Sequence, residues 1–262
     1  MIRTVKGLVL RSIRYGESDK LITILTEEGI IFFKARGIRS ITSKNAAGCA
    51  AFVYSEFILD QRGDKCYLRK ALPLYSTIRA GASLQALALA SYFAELSEDT
   101  ARDAETGKAV LRLLMNALYI LSKEDRPEDL IKSVFEMRLL AVNGLMPQIE
   151  ECAVCEKSAE ECDSIYFRLM DGDLICADCK TDEDEACIRV SRELLSLCRH
   201  SLESTEEKAY AVRIPEALQK EFSRFSQRFL IHQLERNYKT LDFYQEICRT
   251  ENENHGVKNE TI

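Results

Sequence analysis

Leu21-Ile22-Thr23-Ile24-Leu25-Thr26-Glu27-Glu28-Gly29-Ile30-Ile31-Phe32-Phe33-Lys34-Ala35 reads as two β-branched, apolar runs around a short Glu-Glu-Gly turn. That pattern signals a β-hairpin. Upstream, Gly7-Leu8-Val9-Leu10-Arg11-Ser12-Ile13-Arg14 begins apolar and then alternates. Downstream, Ala51–Asp60 and Lys65–Tyr75 flank Gln61-Arg62-Gly63-Asp64, whose Gly-Asp supplies turn chemistry. Five short strands within residues 1–80, with no long helix between them, predict a small Greek-key β-barrel. Phe32 and Phe33 fall on opposite faces of one strand, so one of them belongs to the core. The polar, basic stretch Arg36–Gly48 is expected to be a mobile loop between the third and fourth strands.

After Ile78 the period becomes helical. Ser83–Leu96 is rich in Ala and Leu, the best helix formers. Lys108–Leu121 reads as a second helix. A third starts at Pro127, passes through Val142 and stops at Asn143-Gly144, with Pro147 just beyond. A last helical block opens near Ser191, a good N-cap, and resumes at Pro215. There Leu218, Phe222, Phe225 and Phe229 form one apolar stripe, while Lys220, Arg224 and Arg228 repeat on a different face. The stripe is expected in the core and the basic face in solvent or against an acidic partner. The fold class is therefore multidomain α+β. Residues 1–80 form the barrel, 81–149 and 183–248 a helical body, 150–182 an inserted module, and 249–262 a disordered Asn/Glu-rich tail. The run Thr181-Asp182-Glu183-Asp184-Glu185 is read as a solvated acidic linker.

The inserted module carries two CxxC pairs, Cys152/Cys155 and Cys176/Cys179. Each pair can present two thiolates from a tight turn, and two pairs complete a tetrahedral all-cysteine shell of the kind Zn2+ accepts in structural sites. Four thiolates leave no position for water or substrate, so one structural Zn2+ per chain is expected. A β-hairpin between the pairs is predicted from Ile165–Met170, a turn at Asp171-Gly172, and Leu174-Ile175. Cys162 lies inside this loop and is the one substitute ligand in reach. The other cysteines read as buried small hydrophobes or free thiols.

Composition narrows the function. The chain has 262 residues, 46% hydrophobic and 30% charged, with ten cysteines. It contains no apolar run long enough to span a bilayer and no signal-peptide pattern, which predicts a cytoplasmic protein with reduced thiols. The net charge of -6 hides an asymmetry. Residues 1–80 hold 14 Lys+Arg and 7 Asp+Glu, a net of +7, and the remainder nets -13. A basic head points to a polyanion partner. No phosphate-cradling Gly-rich motif is present, and His200, His232 and His255 are scattered without a partnered nucleophile. Nothing argues for an active site, and the protein is expected not to be an enzyme.

The stretch Gly7–Leu21, with Tyr15-Gly16-Glu17-Ser18-Asp19 at its end, resembles the opening of the bacterial recombination mediator RecO family. So do Leu25-Thr26-Glu27-Glu28-Gly29 and Lys34-Ala35-Arg36-Gly37-Ile38-Arg39. The likeness extends through both CxxC pairs to Leu234–Phe243, where Lys239-Thr240 stands at a family Lys-Ser position. The resemblance implies an N-terminal OB-fold, a helical body and a zinc module that some family members lack. It implies a nucleoid-associated protein that binds single- and double-stranded DNA, anneals strands, and works with RecR and single-stranded DNA-binding protein to load RecA.

An OB-fold binds single strands through a cationic groove and stacking aromatics. The candidates on the head are Arg11, Arg14, Lys20, Lys34, Arg36, Arg39 and Lys44, with Tyr15 as a stacker. In the system this family resembles, the C-terminal tail of single-stranded DNA-binding protein is acidic with an apolar end. Lys220, Arg224 and Arg228 are the candidates to receive it. The competing reading is a zinc-containing transcriptional or assembly adaptor that works through protein contacts. Salt-steep, sequence-indifferent oligonucleotide binding separates the two.

Overall fold

The structure, a computed structural model, describes residues 1–181 and 187–258, with residues 252–258 as helix backbone alone. It divides into two compact units, Met1–Lys123 with Tyr238–Ile262, and Glu124–Asn237.

The first unit opens with five strands, β1 (Ile2–Tyr15), β2 (Asp19–Thr26), β3 (Gly29–Ala35), β4 (Val53–Arg62) and β5 (Lys65–Ser76). Their order β1-β2-β3-β5-β4 closes into a barrel. The long β1 serves two neighbours: residues 7–15 pair with β2 and residues 2–8 with β4, a register irregularity after Val9 turning the strand between them. A single parallel bridge, Lys34 to Tyr67, joins β3 to β5. Alternation sends Val9, Ile22, Ile24, Ile31, Phe33, Phe57 and Leu59 inward. Phe33 and Phe57 pack with ring centroids 5.3 Å apart. Phe33 is thus the core member of its pair, and Phe32 is 59% exposed.

The stretch Arg36–Gly48, expected to be a mobile loop, is anchored instead. Ile38 enters the barrel core, and Asn45 Oδ1 accepts from the Ala71 N–H at 2.9 Å. Gly48 lies so close to Ala71 that a Cβ there would approach its side chain to 2.8 Å. The polar composition concealed one apolar anchor and one hydrogen-bonding side chain.

Helices α1 (Leu84–Thr100), α2 (Ala104–Leu121) and α7 (Lys239–Lys258) belong to this unit. By contacts, these three helices and the barrel that ends near residue 80 form one compact unit. Helix α1 packs on β1, and α2 packs on β2 and β3. This covers the outer side of the sheet where Leu8, Thr23 and Leu25 lie buried. Gly107 permits the approach: a Cβ there would stand 2.6 Å from the Gly29 amide nitrogen. Helix α2 starts before Lys108 because Asp103 and Thr106 form a reciprocal cap. Helix α7 runs to Lys258, across the start of the tail expected to be disordered from about Arg249. Residues 259–262 lie outside the described residues.

The second unit holds α3 (Glu128–Val142), β6 (Ile165–Arg168), β7 (Asp173–Cys176), β8 (Cys187–Val190), α4 (Arg192–Glu203), α5 (Glu206–Ala209) and α6 (Glu216–Leu234). The expected hairpin is present as β6 and β7, and β8 adds a third strand on the other side of β6. The acidic residues Asp182–Glu185 before β8 lie outside the described residues. Ser191 caps α4 by accepting from Leu194 N–H. Phe222, Phe225 and Phe229 of α6 are buried as the stripe predicts. Phe167 of β6 meets Phe225 and Phe229 edge-on, each at 5.0 Å.

Candidate nucleic-acid interface and metal centre

The most specific sequence pieces of the barrel interlock. Asp19 opens β2, and its carboxylate accepts from Gly37 N–H at 2.8 Å and pairs with Lys34 Nζ at 2.8 Å. Arg39 returns the contact, its amide donating to Ser18 O and its guanidinium to Glu17 O. The turn after β1 and the turn after β3 are thereby held together. Lys34 first, and the Gly37 amide next, keep the Asp19 carboxyl below its ordinary value.

Around this clamp sit most of the predicted contacts. Lys34 Nζ lies 4.4 Å from the Tyr15 ring centroid, and Tyr15 is half exposed. Arg14 is exposed and stands opposite Lys20, which is half-buried. Arg36 and Lys44 are exposed. Arg36 Cζ lies 4.6 Å from the Tyr67 ring, with Arg62 Cζ 5.8 Å from the same ring. A cation over an aromatic face is worth about 0.5–1 kcal/mol at an exposed site. Here it also holds the guanidinium groups in place beside a ring.

Besides Lys34, which is paired with Asp19, two predicted residues have other commitments. Arg11 forms an ion pair with Glu98 of α1 at 2.7 Å. Arg39 spends its guanidinium on Glu17 O. Tyr67 escaped the sequence reading, and Phe32, left undecided there between core and surface, is exposed. The link from β3 to β5 that sets Tyr67 beside Arg36 is a closure of the barrel, which strand periodicity does not encode.

In the second unit the four paired cysteines converge. Their sulfur atoms all lie within 4.8 Å of one another. Cys155 Sγ and Cys176 Sγ are 3.9 Å apart. Cys152 and Cys176 are buried, Cys179 is half-buried and Cys155 is exposed. The backbone stitches the first pair to the second. Ala153 N–H donates to Leu174 O, and Cys152 bridges Leu174 in parallel, two residues before Cys176 ends β7. Burial pushes the Cys152 thiol up, but N–H groups of Cys155, Cys176 and Val154 aimed at it bring it down to about 6. Hydrogen bonding with Cys176 and Cys155 pushes Cys179 up. Four thiols so close cannot all ionise without a cation among them, and the cluster could hold one metal ion. Cys162 is outside it; its thiol donates to Ser158 O at 3.3 Å, and burial pushes it up.

Comparison with known proteins covers both units. Residues 1–76 match the family model for the recombination protein O N terminal, and residues 81–242 match the model for its C terminal. The chain belongs to the RecO family. It is 29% identical to the DNA repair protein RecO of Acetivibrio thermocellus, over 93% of this chain and 96% of that one. It is 28% identical to the DNA repair protein RecO of Caldicellulosiruptor saccharolyticus, over 92% and 97%. The DNA repair protein RecO of Alkaliphilus metalliredigens matches at 26%, over 94% and 100%.

Other positions singled out in this RecO family member have clear surroundings. Thr240 Oγ1 donates to Glu95 Oε2 at 2.5 Å and Tyr238 OH to Asp99 Oδ2 at 2.8 Å, fastening the start of α7 to α1. A hydroxyl is what that contact requires, and Thr240 supplies it. On α6, Lys220 pairs with Glu216 at 2.5 Å, while Arg224 and Arg228 are exposed. Among the described residues, α6 itself exposes no large apolar side chain beside them. No described helix is long and apolar enough to cross a membrane.

Proposed function

We propose that this protein is a non-enzymatic DNA-repair and recombination mediator. It binds single- and double-stranded DNA on its barrel, anneals complementary strands and, with RecR, helps load RecA onto DNA coated by single-stranded DNA-binding protein. The observation that carries this reading is the cationic and aromatic surface made by Arg14, Tyr15, Lys34, Arg36 and Tyr67 around the Asp19–Gly37 clamp. The strand order, with β1 paired to β4 and β3 to β5, supports an OB-fold, in which phosphates follow the cations and bases stack on the rings. Annealing is downhill once complementary strands meet, so screening phosphate repulsion and delivering strands is sufficient. The reading places the protein in the cytoplasm with the nucleoid.

The metal in this reading is one structural Zn2+. A Zn–S distance of about 2.3 Å gives a tetrahedral edge of about 3.8 Å. The Cys155–Cys176 separation of 3.9 Å fits that edge. Cys152, Cys155, Cys176 and Cys179 would hold the ion and fix the turns on either side of the β6–β7 hairpin. Arg224 and Arg228 are proposed to pair with the acidic tail of single-stranded DNA-binding protein, where charge favours encounter and orientation.

Annealing of two complementary strands coated with single-stranded DNA-binding protein tests the function as a whole. Acceleration over the spontaneous rate is the expected result. A protein that binds neither strand nor accelerates annealing would favour the protein-contact adaptor reading.

A further inference from the structure

One side of the barrel reverses the sign of the head. A cleft of about 380 Å3 is lined by Lys6, Thr26, Glu27, Glu28, Tyr54 and Glu56, among others. Residues 1–80 contain only seven acidic side chains, and three of them are Glu27, Glu28 and Glu56. The rest of the head's acids include Asp19 and Asp60, both in ion pairs. Among the described residues, the three glutamates have no such partner. Lys6 stands opposite Glu56 in the β1–β4 register without reaching it.

The same face is apolar beside the acids. Leu72 is opposite Glu56 across the β4–β5 register, so Lys6, Glu56 and Leu72 form one row pointing to the same side. Tyr54 and Tyr75 form the next row, with ring centroids 5.3 Å apart. Leu72, Leu74 and Tyr75 are each nearly half exposed. Carboxylates there repel a phosphate chain, so this face is unsuited to nucleic acid. Three unpaired carboxylates beside an exposed aromatic and aliphatic strip complement the opposite chemistry.

We infer that this face docks a cationic and apolar segment of a partner protein. An Arg or Lys of that segment places its charge among Glu27, Glu28 and Glu56. Its stem lies on the Tyr54–Tyr75 pair, and its apolar neighbours cover Leu72 and Leu74. Nucleic acid and protein then approach the barrel at surfaces of opposite sign, each excluding the other's ligand. The inference does not rest on the DNA-binding reading.

The test uses the full chain and a fluorescein-labelled peptide of Leu, Arg and Ser, with counterparts carrying Gln or Glu for every Arg. The Arg peptide is expected to bind, to weaken with salt, and to lose roughly tenfold or more in affinity to the Glu27→Gln/Glu28→Gln/Glu56→Gln variant. Oligonucleotide affinity of that variant, read in parallel, stays the same or rises. A control variant, Glu160→Gln/Glu161→Gln/Glu207→Gln, neutralises three acids of the other unit and keeps peptide binding. Equal loss in the control would reduce the effect to bulk charge and overturn the inference. So would undetectable Arg-peptide binding, or Gln-peptide binding as tight as Arg-peptide binding. Sedimentation of the wild type decides a further case: self-association abolished by the triple substitution would make the occupant a second copy of this chain and overturn the partner assignment.

Discussion

The Arg39 guanidinium donates to the Glu17 carbonyl oxygen at 2.6 Å, so the arginine after β3 holds the turn after β1. Asp19 completes the clamp from the other side by accepting from Gly37 N–H. The two pieces of sequence that most specifically resemble the family are thus one structural unit. Part of what looks like a phosphate-binding arginine is a brace that orders the neighbouring cations.

Asp19→Asn tests the brace through pH. The Asp19 carboxyl is held below its ordinary value, so its stabilising contribution is present above its unfolded value of about 3.9. It is lost as pH falls through the depressed folded value. Urea melts should show the wild type more stable than Asp19→Asn at about pH 7, with the gap narrowing as pH falls below about 3.9 and closing below the depressed folded value. A gap independent of pH would remove the charge from the account.

Lys132 and Glu136 lie one turn apart on α3 with side chains only 2% and 0% exposed, 3.1 Å from each other. Ser223 O accepts from Lys132, and the Ser226 hydroxyl donates to Glu136. Lys132→Met alone should cost about 3–5 kcal/mol by leaving a buried carboxylate unpaired. The double variant Lys132→Met/Glu136→Leu should recover most of that loss in urea unfolding. Additive losses would show that the pair is not a unit.

Cys152→Ser or Cys176→Ser should abolish binding of about one metal ion per chain and lower the melting temperature, because an incomplete shell forfeits binding coupled to folding. Cys162→Ser should retain the metal, since its sulfur lies outside the cluster. Metal content measured beside thermal melts checks both.

Thr240→Ser should be nearly neutral, whereas Thr240→Val should cost about 1–2 kcal/mol by removing the hydroxyl donor to the half-buried Glu95 carboxylate. Denaturant melts of the two variants give the comparison. Equal stability of both would make the hydroxyl irrelevant to that position.

The strands of the barrel, the β6–β7 hairpin and the cysteine cluster were legible because each obeys a local period or spacing. What escaped depends on contacts between distant segments. The approach of Gly107 to Gly29 exists only in the folded chain. Nothing in the sequence shows that Ser223 and Ser226 cover Lys132 and Glu136. The ion pair of Arg11 with Glu98 of α1 joins segments far apart in sequence. Tyr67 gains its place beside Arg36 only when the barrel closes. The assignment of α1, α2 and α7 to the barrel's unit was hidden for the same reason, since a helix's partner is not written in its own amphipathic pattern.

The central claim is that the exposed cations of the barrel, among them Arg36 beside Tyr67, bind phosphate. It is tested most directly by salt-titrated binding of a fluorescent single-stranded oligonucleotide to the wild type and to Arg14→Gln/Arg36→Gln/Lys44→Gln. These three charges are exposed and are not part of the Asp19 clamp or the Arg11–Glu98 pair. The account predicts weaker binding to every sequence and a slope of log affinity against log salt shallower by about 2 for the variant, from roughly 0.7 per lost contact. Unchanged affinity and slope in a folded variant would contradict it and move the nucleic-acid surface off this face of the barrel.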